Sequence, residues 1–384
     1  MKNNKNNITG YIEGYHGRLL SWENRKLIIK SLNKNKMNTY FYAPKEDIYH
    51  RLLWRKKYSK KWRINFSKFI EFSKKNKIKV IAGIAPGLDF NFKELNDISK
   101  INQKTDFEFL LKKGVQLLED GASSIALMLD DIPNDFKKKF GNDISEGTYH
   151  ALLANKLSNE LGRDIFFVPR IYADELIKDD PFYLKDLNKT INPKIKIFYC
   201  GKDVVAKAYK NYEKIKKVLS NEIIIWDNFY ANDYCPRRFF IGPTQGRENL
   251  KNILINPTGL IRTDLLILDI FGKSIVEKVS KNNWENILNN HNVPRKFFKV
   301  KKYFLKPDFS LNPPLQSLKK NKDDIEILDF LLWKWKGELS REWYPFLFGL
   351  KHDLQIKQKL LTSERKIKTQ TIPLSNFLLK GELK

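Results

Sequence analysis

Eight short apolar runs punctuate the chain, each followed by a longer stretch of helical character. They are Ile8 to Glu13, Asn38 to Ala43, Ile78 to Ile84, Ile125 to Leu129, Ile165 to Val168, Ile195 to Tyr199, Glu222 to Trp226 and Asn252 to Ile255. Runs this short, rich in Ile, Val, Phe and Tyr, read as strands buried on both faces, as in a parallel sheet covered by helices. The intervening stretches predict helices over Trp22 to Leu32, with Ser21 as cap, and over Trp62 to Lys75 and Phe107 to Leu118. Further helices are predicted over Tyr149 to Leu161, Val204 to Leu219 and Thr263 to Phe271. Eight strand–helix units within roughly 270 residues match the count and length of a (β/α)8 TIM barrel. A doubly wound open sheet is the alternative, but no GxGxxG follows the first strand. The fold expected is therefore α/β, a (β/α)8 TIM barrel.

After about Gly272 the strand signals stop. Residues 273–305 read as helical, with Trp284, Ile287 and Leu288 as an apolar stripe, and a Pro-, Ser- and Lys-rich connector spans about 306–322. Two further helices follow, Ile325 to Trp335 and Ser340 to Leu361, with apolar residues at helical spacing. The expected organisation is a barrel over 1–272 and a C-terminal helical domain over 273–384. Trp333, Trp335, Trp343, Tyr344 and Phe346 are many aromatics for two helices. They suggest cover for a partner subunit or a roof over the cleft, and a homodimer through these helices is an expectation.

Composition changes the picture modestly. Hydrophobic residues make up 42% of the 384, enough for a sizeable core. The net charge, 71 − 44 = +27, would favour a polyanion, but the lysines are spread along the whole chain rather than gathered in a block. Nucleic acid is therefore not the expected partner. Two cysteines, Cys200 and Cys235, give no disulfide framework and no CxxC pair. The N-terminus lacks an apolar signal core, and no apolar run approaches the roughly 20 residues that span a bilayer. A cytoplasmic protein with no membrane partner is expected.

The candidate chemistry centres on the fourth run, which stops at two adjacent carboxylates, Asp130 and Asp131. Alone, these residues read equally well as a helix cap and a solvated acid. In a barrel, however, active sites lie at the C-terminal ends of the strands. Polar and aromatic residues follow the other strands too: Glu13 to Arg18, Lys45 to Asp47, Pro169 to Tyr172, Trp226 to Asp233 and Asn256. Trp226, Tyr172 and Tyr15 suit the faces of a sugar ring, while Asn, Asp and Lys suit its hydroxyls. The five histidines do not pair at metal-ligand spacing and no G-x-S-x-G occurs, so no metal, no cofactor and no serine triad is expected. A glycosidase acting through carboxylates is the remaining reading.

Five motifs in order, Gly10 to Arg18, Asn38 to Lys45, His50 to Arg55, Leu129 to Ile132 and Trp226 to Tyr234, resemble the O-GlcNAcase family. These are the β-N-acetylglucosaminidases of glycoside hydrolase family 84, and the resemblance covers roughly residues 8–272. It implies a retaining exo-hydrolase that releases β-linked N-acetylglucosamine from glycoproteins or glycosides. In such an enzyme the substrate's own acetamido oxygen attacks the anomeric carbon and forms an oxazoline, an exception to the two-carboxylate scheme. Adjacent carboxylates are badly placed to straddle a ring, but they can serve the acetamido N–H and the leaving oxygen. By family position Asp130 orients the acetamido group. Asp131 is the general acid and then the base, held protonated beside an ionised Asp130. Gly14 contacts a hydroxyl through its backbone, Lys45 donates to the substrate, and Tyr172 bonds the acetamido oxygen. Trp226 and Tyr15 wall the pocket, Asn228 supports the acid pair, and Asp233 and Asn256 hold hydroxyls. Val204 and Val205 fall on the leaving-group side.

Two departures from the family stand out. Tyr15-His16 replaces a common Phe-Tyr, and Arg170-Ile171 precedes Tyr172, where Arg170 adds a positive charge near the site. The alternatives are a hyaluronidase-type hydrolase of an acidic glycan and a non-catalytic sugar- or nucleic-acid-binding protein.

Overall fold

The computed structural model describes residues 7–95, 105–141, 143–206, 213–234, 238–244, 246–276, 281–305, 307 and 322–360. Its strands are β1 (Thr9–Glu13), β2 (Thr39–Tyr42), β3 (Lys79–Ile84), β4 (Ser124–Met128), β5 (Phe166–Val168), β6 (Lys196–Tyr199), β7 (Ile223–Asp227) and β8 (Ile253–Ile255). Each pairs in parallel with the next, and β8 pairs back onto β1, closing a (β/α)8 barrel. Around it lie α1 (Trp22–Lys34), α2 (Lys60–Lys75), α3 (Asp106–Glu119), α4 (Phe136–Phe140), α5 (Glu146–Leu161), α6 (Tyr183–Thr190), α7 (Glu213–Val218) and α8 (Ile261–Val276). Then follow α9 (Lys281–Asn290), α10 (Phe297–Val300), α11 (Lys322–Trp333) and α12 (Glu338–Lys357).

Strand alternation divides the core into two layers. Ile12, Phe41, Ile81, Met128, Phe198, Ile224 and Leu254 fill the barrel, while Tyr11, Tyr40, Tyr42, Val80, Ile125 and Ile225 meet the helices outside. Phe41 stacks on Phe198 at 5.0 Å, and both meet the Trp226 ring in T-shaped contacts at 5.7 and 5.9 Å. The interior is thus a packed aromatic floor, with Trp226 at its upper edge. Ser21, Ser59, Thr105 and Ser145 each accept an amide hydrogen bond from three residues on, which starts α1, α2, α3 and α5.

Several helices differ from expectation, among them the short α4, which was not expected. The short α6 was not expected; it lies against α5, where a side chain on Gly147 would collide with the Tyr183 carbonyl. The helix expected from Val204 does not begin there, because Val204 and Val205 form a turn; residues 207–212 lie outside the described residues, and α7 is described over Glu213–Val218. Side chains claim the turn's carbonyls: Asn228 donates to Val204 O at 3.0 Å and Arg247 to Ala206 O at 2.8 Å.

The C-terminal helices are fastened to the barrel. Trp343 donates to Thr263 Oγ1 at 3.0 Å, Glu342 accepts from the Thr263 amide and hydroxyl, and Arg238 pairs with the buried Asp353 at 2.8 Å. Helix α8 extends to Val276, beyond the Phe271 expected. Apart from Pro307 and Lys322, the connector expected at 306–322 lies outside the described residues.

Candidate active site

The barrel mouth holds a cavity of about 500 Å³, ringed by residues from the ends of most strands. Its centre is the end of β4. Leu129 still bonds to Val168 O of β5, and the chain then leaves the sheet. Asp131 has φ of +52°, the left-handed region that Asp tolerates better than most residues. The turn lets consecutive carboxylates line one cavity rather than opposite faces of a strand. Arg51 holds it by donating to the Asp131 carbonyl at 2.6 Å.

The two acids have different surroundings. Asp130 is buried and paired with the buried Lys45 through Oδ2. Its other oxygen, Oδ1, is buried with no hydrogen-bond partner. Asp131 is more open, with 36% of its side chain exposed. Tyr172 donates to its Oδ1 at 2.7 Å, while Lys45 and His16 stand 3.4 and 3.7 Å from Oδ2. Desolvation pushes the Asp131 carboxyl up, but Lys45, the His16 imidazole and Arg51 outweigh it and hold it well below the usual carboxylate range.

A chain of amides builds the opposite wall. The Gly14 N–H donates to Asn256 Oδ1 at 3.2 Å, and Asn256 donates to Asn228 Oδ1 at 2.9 Å. That oxygen also accepts the Trp226 indole N–H at 2.9 Å, while the Asn228 amide reaches Val204 O. Gly14 is required here, since a Cβ would stand 2.5 Å from the Trp226 ring. The loop is anchored below by Glu13, which accepts from the Leu20 amide and from Arg25 at 2.8 and 2.9 Å. Asp233 accepts the His16 N–H at 2.9 Å and closes the ring.

Asp130, Asp131, Gly14, Lys45, Tyr172, Trp226, Asn228, Asp233 and Asn256 all line the cavity, as do Val204 and Val205. Tyr15 does not. Its ring is fully buried against Gly259 and its hydroxyl bonds to Tyr11 at 3.0 Å, while the neighbouring His16 lines the cavity. Asn228 bonds within the amide chain rather than to the acid pair. Arg170 adds no charge to the cavity, being spent on a bidentate pair with the buried Glu146 at 2.6 and 2.7 Å. Sequence reasoning missed Glu175, Tyr199 and Tyr234 as lining residues, and passed over His16 although it sits inside the Glu13 to Arg18 motif. Cys200 lines the cavity as a buried thiol whose pKa burial pushes up; Cys235 lies outside the described residues. Among the described residues no three His, Cys, Asp or Glu side chains come together as a metal site, and no helix is long and apolar enough to cross a membrane.

Chemically, the cavity offers a buried acceptor for an N–H, a more open acid or base beside it, an aromatic wall and a rim of amide and carboxylate groups. The family described as beta-N-acetylglucosaminidase matches residues 9–261. Protein O-GlcNAcase of Rattus norvegicus and that of Mus musculus are each 31% identical to the chain over 265 residues, covering 65% of it. The chain spans about 28% of the length of these relatives. The solved structure of CpGH84B shares the fold with a TM-score of 0.71 at 20% identity, over 92% of this chain and 69% of that one. With the family match running from the first strand of the barrel to the start of α8, the chain belongs to the beta-N-acetylglucosaminidases, the O-GlcNAcase-like glycoside hydrolases of family 84.

Proposed function

We propose that this protein is a retaining exo-β-N-acetylglucosaminidase that removes terminal β-linked N-acetylglucosamine from proteins or glycosides, with the substrate's acetamido group as nucleophile. The observation that carries this reading is Asp130 Oδ1, a buried acceptor without a partner beside the more open Asp131. A buried, unsatisfied carboxylate oxygen is costly, and a substrate amide N–H relieves that cost.

In the first half of the reaction, Asp130 accepts the acetamido N–H and turns the carbonyl oxygen toward the anomeric carbon. That oxygen forms its bond to C1 as the C1–O bond to the leaving group breaks. Asp131 gives its proton to the departing oxygen. In the second half, water attacks C1, the oxazoline C–O bond opens, and the water's proton passes to Asp131. Two inversions give retention. Lys45 supports the charge on Asp130, and Tyr172 stands where it reaches the acetamido oxygen or Asp131. Trp226 walls the pocket, while the Gly14 carbonyl, Asp233 and Asn256 hold hydroxyls.

Turnover of aryl β-N-acetylglucosaminides tests the reading. Asp131→Asn is expected to lose about 10²–10⁴-fold with a poor leaving group and much less with a good one. Equal turnover by that variant on both would remove the assignment. The +27 charge keeps an acidic glycan such as hyaluronan as a second substrate, decided by the product sizes of a digest. A homodimer through the C-terminal helices is also proposed. Trp333, Tyr344 and Phe348 are 51%, 40% and 43% exposed and stand ring to ring, and light scattering would show the dimer. A cytoplasmic setting is also proposed.

A further inference from the structure

We propose that Glu175 is a specificity-determining residue: one of its oxygens fixes the turn at Val204, and the other favours substrates whose aglycone carries positive charge beside the sugar. The proposal rests on the exo-hydrolase reading given above.

Past the barrel, the loops after β5 and β6 stay paired for several residues. The Cys200 N–H donates to Tyr172 O at 2.7 Å, and Ala173 bridges Gly201 in parallel. The Asp174 and Glu175 amides then donate to Gly201 O and Lys202 O at 2.9 and 3.0 Å. This short ladder makes one rim of the two loops. Glu175 stands at its end and lines the cavity together with Tyr172, Val204 and Val205. Its Oε1 accepts the Val204 N–H at 2.6 Å, while Val204 O accepts from Asn228 at 3.0 Å. The turn is thus held by both polar groups of Val204.

The second oxygen of Glu175 is left over. Among the described residues Glu175 has no ion-pair partner, and the Val204 amide is the one donor to its side chain. Lys202, whose carbonyl meets the Glu175 amide, has an exposed side chain that makes no ion pair with it. The other acids of the cavity have close neighbours. Asp130 is paired with Lys45, Asp131 faces Lys45 and His16, and Asp233 accepts the His16 N–H.

Depth assigns sugar and aglycone to different parts of the cavity. A pocket that removes a terminal sugar takes the ring into its closed end and leaves the rest of the substrate at the mouth. Asp130 Oδ1, buried and without a partner, marks the closed end, where the acetamido N–H is received. Asp131, 36% exposed, meets the glycosidic oxygen nearer the mouth. Tyr172 joins Asp131 to the ladder, donating to Oδ1 at 2.7 Å. Glu175 is exposed and follows on that ladder, so it faces the atoms beyond the glycosidic oxygen rather than the ring.

The net charge of +27 would by itself draw acidic aglycones. Distance decides against it. At physiological salt, exposed charges farther off than about 8–10 Å are largely screened. A carboxylate at the mouth acts on the first groups of the aglycone across a few ångströms, and an exposed pair of this kind is worth about two- to fivefold. The local acid therefore sets the choice, and an acidic glycan is disfavoured.

The test uses synthetic glycopeptides with one β-linked N-acetylglucosamine on a central serine, flanked by lysines, alanines or glutamates. Their kcat/KM values are compared at low and high salt for wild type, Glu175→Gln and Glu175→Lys. Glutamine keeps an oxygen for the Val204 amide and loses only the charge. Wild type is expected to favour the lysine-flanked over the glutamate-flanked peptide by roughly tenfold, attraction and repulsion combined, and by less at high salt. Glu175→Gln lowers that ratio by about threefold or more, and Glu175→Lys reverses it. A wild-type ratio near one or in favour of glutamate, or a ratio that Glu175→Gln leaves unchanged, overturns the proposal. Should Glu175→Lys fail to fold, wild type against Glu175→Gln decides. If wild type hydrolyses none of the peptides, the alanine one included, the glycosidase reading has failed and the proposal falls with it. Equal hydrolysis of all three sinks the role of Glu175 alone.

Discussion

Tyr172 donates its hydroxyl to Oδ1 of Asp131, the oxygen turned away from Lys45 and His16. The carboxylate is therefore clamped from both sides before substrate arrives. Tyr172→Phe removes one donor to a charged acceptor, worth about 1.5–3 kcal/mol. We expect kcat to fall by roughly ten- to a hundredfold with a smaller change in KM, and the Asp131 limb of the pH profile to move up. Steady-state rates against pH check this.

Gly14→Ala places a methyl group 2.5 Å from the Trp226 ring, which already rests on Phe41 and Phe198 and cannot retreat. Overpacking of this kind costs about 1–3 kcal/mol. The expected outcome is at least tenfold weaker binding of a thiazoline mimic, with a modest fall in melting temperature. Calorimetric titration and thermal denaturation measure the two.

Arg25 and Glu13 are both buried, and Tyr40 also donates to Glu13 at 2.5 Å. Removing only the cation strands a buried carboxylate beneath the Gly14 loop. Arg25→Leu is expected to lose about 3–5 kcal/mol of stability, and the double change with Glu13→Gln less than that, because no unpaired charge remains. Urea denaturation of the three proteins decides it.

His50 is fully buried with Nδ1 against Gly83 O at 2.9 Å. Burial, with Lys45 and Arg51 nearby, lowers its pKa to about 3. Unfolded, the ring takes up a proton near pH 6.5; folded, it does not until about 3. Its contribution to stability is therefore complete above about 6.5 and is lost progressively as pH falls toward 3, by at most ~1.4 kcal/mol per pH unit. His50→Gln should flatten that part of the stability curve in urea melts at several pH values.

The strands were legible because a parallel barrel buries them on both faces, so Ile125 to Leu129 or Glu222 to Trp226 need no alternation to be read. Helix limits were less legible where side chains replace backbone partners. Val204 and Val205 look like the start of α7, but the carbonyls of Val204 and Ala206 belong to Asn228 and Arg247, far away in sequence. The site showed the same division. Asp130, Lys45 and Asn256 could be placed by their position after a strand. Which of Tyr15 and His16 faces the cavity depends on the path of the chain after β1, and Arg170 was lost to Glu146, a pairing between the loop after β5 and the start of α5 that no local pattern announces.

The amide chain through Asn228 has a mechanical consequence. One oxygen takes the Trp226 indole and the Asn256 amide, while the same side chain holds the Val204 carbonyl. Trp226, Asn256 and the loop at Val204 thus share a single joint. Displacing the Trp226 ring would therefore pull on the side chain that holds the Val204 carbonyl, so wall and loop are expected to shift together.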